Sequence, residues 1–268
     1  MIKALFFDID GTLVSFQTHE IPTSTLRAIR AARAKGIHIF ISTGRPATII
    51  NNLAPLQEEG LIDGYITMNG AYCFVGDEVI YKSAIPPEEV DIIMDYCTRR
   101  QAACIVVGEH SYCACGLNEQ IRTIFHEHLK VTHPIPDTPV DEATKGKEVF
   151  MLTPFIDREQ EAEVARHLQH CEVGRWHPAF ADITARGNTK QKGMDEIIRH
   201  FQLRLEETMS FGDGGNDVPM LLHAGIGVAM GNASDDVKQH ADYITESVDE
   251  DGILKALLHF NILTPADL

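Results

Sequence analysis

Three short apolar runs alternate with helical patterns in the first part of the chain. Positions 4 to 7 and 9, positions 37 to 41 and positions 65 to 68 each predict a buried strand. An amphipathic helix is predicted between Pro22 and Gly36, and another begins at about Pro46. Strands and helices that alternate with short connections are typical of a parallel sheet covered on both faces.

The pattern changes at about residue 83, where helices and hairpins replace the regular alternation. The predicted elements are a helix starting at 86, a hairpin over 103–115, a helix over 118–129, a strand over 148–152, a helix over 158–169 and two strands over 171–183. Residues 131–147 contain three prolines and are predicted to be irregular. This order indicates an α/β domain inserted into the first one.

The first pattern returns after Gly187. It predicts helices over 190–201, 218–223, 235–240 and 251–260, and strands over 208–211, 226–230 and 243–245. We therefore predict an α/β protein whose residues 1–82 and 184–268 form a parallel-sheet core, with an inserted α/β domain at residues 83–183.

Composition and charge narrow the classes of function. The 268 residues carry a formal net charge of -16, which argues against binding to nucleic acid or to an anionic membrane. No apolar run approaches the roughly 20 residues of a membrane span. The chain begins directly with a strand, so we expect no signal peptide and a cytoplasmic location.

The six cysteines indicate neither a zinc site nor a disulfide framework. Only Cys113 and Cys115 are closely spaced, and no second close pair completes a set of zinc ligands. We expect six reduced thiols, with Cys113 and Cys115 acting as small packing residues in a strand.

The first candidate for chemistry is the pair Asp8 and Asp10, at the end of the first strand. Side chains two apart in a strand share a side, so the two carboxylates are expected to emerge together. They repel one another, which favours a bound cation or a protonated carboxyl group, and either suits phosphate chemistry. The alternative is a surface turn with two solvated aspartates.

Three further motifs fall at strand ends or helix starts of the same predicted sheet. They are Thr43-Gly44-Arg45, Lys190 followed by Gly193, and the glycine-rich turn over 212–217 that contains Asp213, Asn216 and Asp217. The first two are weak taken singly, and the third is moderately specific. Parallel sheets place their sites beyond the carboxyl ends of the strands, so all four motifs together indicate one site.

In this order the four motifs resemble the haloacid dehalogenase superfamily of aspartyl-phosphate enzymes, in particular its Cof-type branch with a type IIB cap. The resemblance covers both core halves, the insert and the ending over 241–245. It implies a Rossmann-like core and makes 83–183 the cap that sets specificity. Relatives keep a lysine, two residues and a small residue at a fixed distance from the Gly-Asp turn, which selects Lys190 rather than Lys192.

The resemblance also implies a role for each motif residue. Asp8 would attack the phosphorus, and Asp10 would protonate the leaving oxygen and then deprotonate the hydrolytic water. Mg²⁺ would be bound by Asp8, the Asp10 backbone carbonyl and Asp213, with Asp217 behind them through water. The phosphoryl oxygens would be held by Thr43, through a hydrogen bond, by Lys190, through its charge, and by Gly44 and Asn216.

The implied activity is a Mg²⁺-dependent phosphatase for small phosphorylated metabolites, with sugar phosphates such as hexose phosphates expected as substrates. A phosphomutase or phosphotransferase of the same fold is the first alternative, and a non-catalytic regulator that binds sugar phosphates is the second. The presence of Asp10 disfavours a dehalogenase. The physiological substrate and the oligomeric state, monomer or dimer, stay open.

A few other residues have two interpretations each. Arg45 is either a contact to substrate or cap, or a surface ion-pair partner. Trp176 and His177 lie on predicted cap strands and either contact the leaving group or only pack there. The other histidines considered lack a ligand-like spacing and are expected on the surface: His126, His128 and His133.

Overall fold

A computed structural model describes residues 1–128 and 134–268 of the chain, without the side chains of residues 126–128 and Trp176. Two compact units are present. The core unit comprises Met1–Arg45, Asn52–Tyr81 and Thr189–Leu268, and the inserted unit comprises Pro46–Asn51 and Lys82–Asn188.

The described residues form thirteen strands. In chain order they are β1 Ala4–Phe7, β2 His38–Ser42, β3 Gly64–Thr67, β4 Tyr72–Val75, β5 Glu78–Lys82, β6 Cys104–Gly108, β7 Tyr112–Cys115, β8 Val149–Pro154, β9 Cys171–His177, β10 Phe180–Ala185, β11 Thr208–Gly212, β12 Ile226–Ala229 and β13 Tyr243–Ile244.

The same residues form ten α-helices. They are α1 Thr23–Ala34, α2 Ala54–Glu58, α3 Pro87–Arg100, α4 Glu119–Arg122, α5 Val140–Thr144, α6 Arg158–Ala165, α7 Lys190–Phe201, α8 Val218–His223, α9 Asp235–Lys238 and α10 Gly252–His259. None of the helices in the described part of the chain is long and apolar enough to cross a membrane.

The core unit is built on an eight-stranded sheet in the order β13-β12-β11-β1-β2-β3-β4-β5. The six strands from β13 to β3 are parallel, and β4 is antiparallel to β3. The central strand β1 is buried along its whole length because both faces of the sheet are covered. Phe6 stacks on Phe40 on the face that α7 covers with Met194, whereas Phe7 stacks on Phe211.

The inserted unit has its own antiparallel sheet and its own hydrophobic core. Its five strands run in the order β7-β6-β8-β10-β9. The apolar face of α3 packs on this sheet, with Ile93 and Met94 buried against Val106 and Leu152. A helix layer on an antiparallel sheet gives this unit a core that is separate from that of the parallel sheet.

The predicted fold class is confirmed: an α/β protein with a parallel, Rossmann-like core and an inserted α/β unit. Two local predictions were wrong. The helix expected from about Pro46 is a single 3₁₀ turn at Ala47–Ile49 followed by the short α2. Pro55 explains the break, because it has no N–H to donate to the carbonyl of residue 51 and so cannot lie inside a continuous helix.

The second wrong prediction concerns the irregular stretch 131–147. Its residues 131–133 lie outside the described residues, but the remainder includes the helix α5. This helix begins directly after Pro139, a common position because a proline has no N–H to leave unpaired at a helix start. The antiparallel strands β4 and β5 were not predicted from the sequence.

Candidate active site

Three of the predicted site residues directly follow neighbouring parallel strands. Asp8 follows β1, Thr43 follows β2, and Asp213 follows β11. From β1 the strand order continues through β2 and β3 on one side and, later in the chain, through β11 and β12 on the other, so the carboxyl end of β1 lies at the switch point of the sheet. Open parallel sheets bind their ligands at such points.

Lys190 lies between two carboxylates at the start of α7. Its side chain is 0% exposed, and its Nζ donates to Asp8 Oδ1 at 2.5 Å and to Asp217 Oδ1 at 2.6 Å. Burial favours the neutral amine, but the negative charges of Asp217 and Asp8 outweigh it and raise the pKa of Lys190. Lys190 is therefore a fixed, permanently charged ammonium group.

Small residues allow α7 to bring Lys190 to this position. A Cβ on Gly193 would lie 2.2 Å from Ile66 Cγ2, so the helix packs on β3 at a distance that only glycine permits. A Cβ on Gly70, which has φ +94°, would lie 2.1 Å from the Thr189 carbonyl oxygen. Close packing explains why a small residue is needed three positions after the lysine.

Lys192, the other lysine that could have matched the motif, does not contact the carboxylate cluster. Its side chain is 37% exposed and forms an ion pair with Glu196 at 2.7 Å, one turn along the same helix. Pairs of this kind contribute little to folding. The two lysines therefore have different environments, and only Lys190 lies among the site carboxylates.

Asp217 is buried and held by the glycine-rich turn. Its Oδ2 accepts hydrogen bonds from the backbone N–H groups of Asp213 at 3.0 Å and Gly214 at 2.8 Å, while Oδ1 accepts from Lys190. A Cβ on Gly212 would lie 2.4 Å from the Asp217 Cβ, so the turn closes tightly over the carboxylate. Through these three hydrogen bonds, Asp217 holds both the glycine-rich turn and the Lys190 ammonium group in position.

Asp8, Asp213 and Asp217 offer carboxylate oxygens that all lie within 4.8 Å of one another. Burial, followed by the neighbouring carboxylates, raises the pKa of Asp8 well above its usual range even though Lys190 opposes the change. Burial and the charge of Asp217 raise the pKa of Asp213 to about 7. Three carboxyl groups thus share one lysine as their positive partner. Three carboxylates supply the hard oxygen ligands that Mg²⁺ prefers.

Two residues that the sequence analysis missed orient Asp213. Thr12 Oγ1 donates to Asp213 Oδ1 at 2.8 Å, and Asn232 Nδ2 donates to Asp213 Oδ2 at 3.3 Å and to the Gly11 carbonyl oxygen at 2.9 Å. Asn232 ends the predicted strand over 226–230, just as Asp213 follows its own strand. The position of Asn232 just after a predicted strand was the signal in the sequence that could have identified this residue.

The Asp10 carboxylate does not lie in this cluster. Arg45 binds it with two parallel hydrogen bonds, from Nε to Oδ2 at 2.7 Å and from Nη2 to Oδ1 at 2.8 Å. The Arg45 side chain is only 14% exposed, against 34% for Asp10. Arg45 is thus an ion-pair partner, as one interpretation held, but of a site carboxylate in a partly buried position rather than of a surface residue.

Thr43 and Gly44 form a tight turn beside a third missed residue, Asn69. The buried Thr43 accepts at Oγ1 from the Arg45 N–H at 3.1 Å, and its carbonyl oxygen accepts from the Asn69 N–H at 3.1 Å. Asn69 has φ 53° and accepts at Oδ1 from Asn216 Nδ2 at 3.0 Å. A Cβ on Gly44 would lie 3.2 Å from Asn69 Oδ1, so the Asn69 side chain packs closely against this backbone.

Phe16 is a large apolar side chain left exposed beside the acidic cluster. Its exposed fraction is 60%, and a Cβ on Gly11 would lie 2.5 Å from Phe16 Cε2 and 2.3 Å from Asp213 Oδ2. Gly11 has φ +87°, which only glycine adopts easily. Gly11 is therefore required both for the turn after β1 and for the close approach of Asp213.

The remaining candidates do not belong to this cluster. The His177 ring stacks on Phe180 with ring centroids 4.8 Å apart, and its Nδ1 accepts from the Ala179 N–H at 3.2 Å. The structure therefore gives His177 packing contacts. The side chains of Trp176, His126 and His128 are not described, and His133 lies outside the described residues.

The arrangement is chemically suited to transfer of a phosphoryl group. A carboxylate, Asp8, is fixed beside a permanent positive charge and a set of cation ligands. A second carboxylate, Asp10, is more exposed than Asp8 and is held by Arg45. Positive charge around a positioned oxygen nucleophile is the main requirement of this reaction.

Comparison with known proteins gives the family. Residues 5–257 match the family of haloacid dehalogenase-like hydrolases. YkrA of Bacillus subtilis (strain 168), a phosphatase by name, is 31% identical over 97% of this chain and 98% of its own. The solved structure of BT4131, a sugar phosphatase of subclass IIB in this superfamily, is 62% identical with a TM-score of 0.91, covering 97% of this chain and all of the other.

A third similar structure is BT1666 from Bacteroides thetaiotaomicron, a phosphatase of the same superfamily. It is 37% identical with a TM-score of 0.86, and the match covers 98% of this chain and 96% of that one. The expected enzyme class, phosphoric monoester hydrolase, is confirmed, and the chain belongs to the haloacid dehalogenase-like hydrolases.

Proposed function

We propose that this phosphatase depends on Mg²⁺ and hydrolyses small phosphorylated metabolites, with sugar phosphates as its substrates, through an aspartyl-phosphate on Asp8. The observation that carries the proposal is the buried contact of Lys190 with Asp8 and Asp217 beside Asp213. The sugar phosphatase BT4131, with 62% identity, supports the substrate class.

In the first step, a carboxylate oxygen of Asp8 attacks the phosphorus. A bond forms between this oxygen and phosphorus, the bond to the leaving oxygen breaks, and Asp10 gives that oxygen its proton. In the second step, Asp10 takes a proton from a water molecule that attacks the phosphorus, and the bond to Asp8 breaks. Inorganic phosphate leaves, and both aspartates return to their starting states.

The positive charges hold the phosphoryl oxygens while these bonds change. An ammonium group has three N–H donors, and Lys190 uses two of them on Asp8 and Asp217, which leaves one for a phosphoryl oxygen. We assign further oxygen contacts to the Thr43 hydroxyl, the Gly44 backbone N–H and Asn216. Asp8, Asp213 and the Asp10 carbonyl would hold Mg²⁺, with Asp217 behind them through water, and the ion would supply the remaining charge neutralisation.

We also propose the predicted division of labour between the domains. Residues 1–82 and 184–268 are the catalytic core, and residues 83–183 are the cap that selects the leaving group. The test of the whole proposal is phosphate release from a panel of phosphorylated metabolites, with Mg²⁺ and with EDTA. Mg²⁺-dependent release, highest with hexose phosphates, supports it, whereas isomerised sugar phosphate without free phosphate indicates a phosphomutase.

Asp10→Asn is expected to lower turnover of a sugar phosphate by about 10²- to 10⁴-fold, because the general acid and base of both steps is lost. Mg²⁺ binding should persist because the backbone carbonyl of residue 10 is unchanged. Rapid-quench assays are the measurement, with Asp77→Asn at an exposed turn as the matched control. Turnover close to that of the wild type would contradict the role of Asp10 as general acid and base.

Without a divalent cation, folding stability is expected to fall as pH rises from about 4 to 7. The pKa of Asp213 is raised from an ordinary value of 3.8 to about 7, so in this range the unfolded chain has released a proton that the folded protein still holds. Stability therefore decreases with pH, and Mg²⁺ should restore it most at neutral pH. Melting temperatures measured in EDTA and in Mg²⁺ check this.

Asp213→Asn is the matched variant for the pH series. It should flatten the loss of stability in EDTA and reduce the stabilisation by Mg²⁺, because the carboxylate that carries both effects is gone. A wild-type melting temperature in EDTA that stays level over this pH range, and that Mg²⁺ does not raise, would contradict the assigned cation site.

A further inference from the structure

The inserted unit contains five of the six cysteines, and four of them form a connected row. Antiparallel pairing of β6 with β7 places Cys104 directly opposite Cys115. The Cys115 thiol also interacts with Cys113 at one end of the row, and the Cys104 thiol interacts with Cys97 at the other. All four are free thiols, as expected from the sequence.

Only one end of the row is accessible. Cys97, Cys104 and Cys115 are buried in the core of the unit, whereas Cys113 is partly exposed. Cys113 lines a cavity of about 410 Å³. The titratable and charged residues around this cavity are Glu109, His110, Tyr112, Glu142, Lys147 and Glu148. Cys113 packs against the hydrophobic core of the unit, as predicted, and its exposed part faces the cavity.

The surroundings of the two neighbouring thiols differ in a way that suits a nucleophile and its partner. A hydrogen bond from Cys115, another from Thr138 and the charge of Lys147 lower the pKa of Cys113 to about 6, against the opposing effects of burial and Glu142. The same hydrogen bond, followed by burial, raises the pKa of Cys115. Cys113 is thus the thiol of the pair that loses its proton more readily, and Cys115 is the one that keeps its proton.

We propose that Cys113 is a modification site that reacts with hydroperoxides and that Cys115 is its resolving thiol. The Cys113 sulfur attacks the peroxide, an S–O bond forms, and the O–O bond breaks with release of water or an alcohol. Cys115 then attacks the Cys113 sulfur of the sulfenic acid, an S–S bond forms, and the S–O bond breaks with release of water. The two thiols together supply the two electrons that reduce the peroxide.

Strand geometry makes the product reversible. Residues two apart in a strand have Cα atoms roughly 6.4 to 6.8 Å apart, at the long end of the range of about 4.4 to 6.8 Å found in disulfides. A Cys113–Cys115 disulfide is therefore strained and is reduced readily by other thiols. This property distinguishes a reversible modification from a structural cross-link, and it does not depend on the phosphatase site.

The test treats the whole wild-type protein with a small excess of hydrogen peroxide at neutral pH, followed by alkylation, chymotryptic digestion and mass spectrometry. Cleavage after Tyr112 separates Cys104 from the other two thiols. The expected product is a peptide beginning at Cys113 that has lost two hydrogens, resists alkylation and is restored by dithiothreitol. A link between Cys104 and Cys115, or oxidation spread equally over all six cysteines, would overturn the proposal.

Variants identify the two roles. Cys113→Ser should abolish the rapid reaction, and Cys115→Ser should stop it at a sulfenic acid that dimedone captures. Cys73→Ser, in the core unit, is the control and should leave the reaction unchanged. In the wild type, which needs no variant to fold, Cys113 should be alkylated about 10-fold or more faster than Cys73 at neutral pH, and equal rates would contradict its assignment.

Discussion

Asp8→Asn is expected to lower phosphate release by about 10⁴- to 10⁶-fold, the scale seen when a covalent nucleophile is removed. The asparagine side chain has nearly the same size, but its amide cannot form the aspartyl-phosphate. The variant should still fold, because burial, followed by repulsion from the neighbouring carboxylates, raises the pKa of Asp8, and a neutral side chain is therefore tolerated there. Steady-state phosphate assays and circular dichroism measure the two effects.

The control for this experiment is Asp77→Asn, the same chemical change in an exposed turn between β4 and β5. It should retain wild-type turnover. If the Asp8 variant kept more than a small fraction of wild-type activity while the control was normal, Asp8 would not be the nucleophile, and attack by water directly on the substrate would replace the covalent route.

Lys190→Met is expected to remove both activity and much of the stability. It leaves Asp8 and the fully buried Asp217 without their shared cation, and breaking a buried ion pair from one side costs about 3 to 5 kcal/mol. Loss of the fixed charge should also reduce turnover by about 10²- to 10³-fold. Chemical denaturation in EDTA and phosphate assays in Mg²⁺ are the measurements.

Lys192→Met is the matched control for this change, two residues along the same helix. Its pair with Glu196, which is buried and also paired with Arg199, is expected to contribute less than about 1 kcal/mol, and turnover should be unaffected. Adding Asp217→Asn to Lys190→Met should recover part of the stability but none of the activity, since one unpaired carboxylate is removed. Similar losses in both single lysine variants would contradict the central position assigned to Lys190.

The sequence was sufficient for the sheet and for the residues at its strand ends. Apolar runs that end abruptly in polar residues predicted β1, β2 and β11. Because these strands pair in parallel, Asp8, Thr43 and Asp213 all lie at the carboxyl end of the sheet. Helix α7 was predicted with its correct bounds, from Lys190 to Phe201. These predictions succeeded because the periodic burial of side chains is a local signal that the chain itself carries.

The residues that support the site were not predictable in the same way. Thr12 and Asp213 are hydrogen-bonded across 201 residues of sequence, and neither Asn232 nor Asn69 belongs to a pattern that marks a partner. The Arg45 bond to Asp10 required knowledge of the fold for the same reason. Likewise, Thr138 and Lys147 are distant in sequence from the Cys113 thiol that they affect.

The measurement that tests the central claim most directly is the chemical trapping of phosphate on Asp8. The enzyme is mixed with a hexose phosphate in Mg²⁺, quenched in acid within one turnover and reduced with borohydride, which converts an aspartyl-phosphate to homoserine. We expect homoserine at position 8 in the wild type, and none in Asp8→Asn or without substrate. Rapid turnover with no modification at residue 8 would contradict the covalent mechanism.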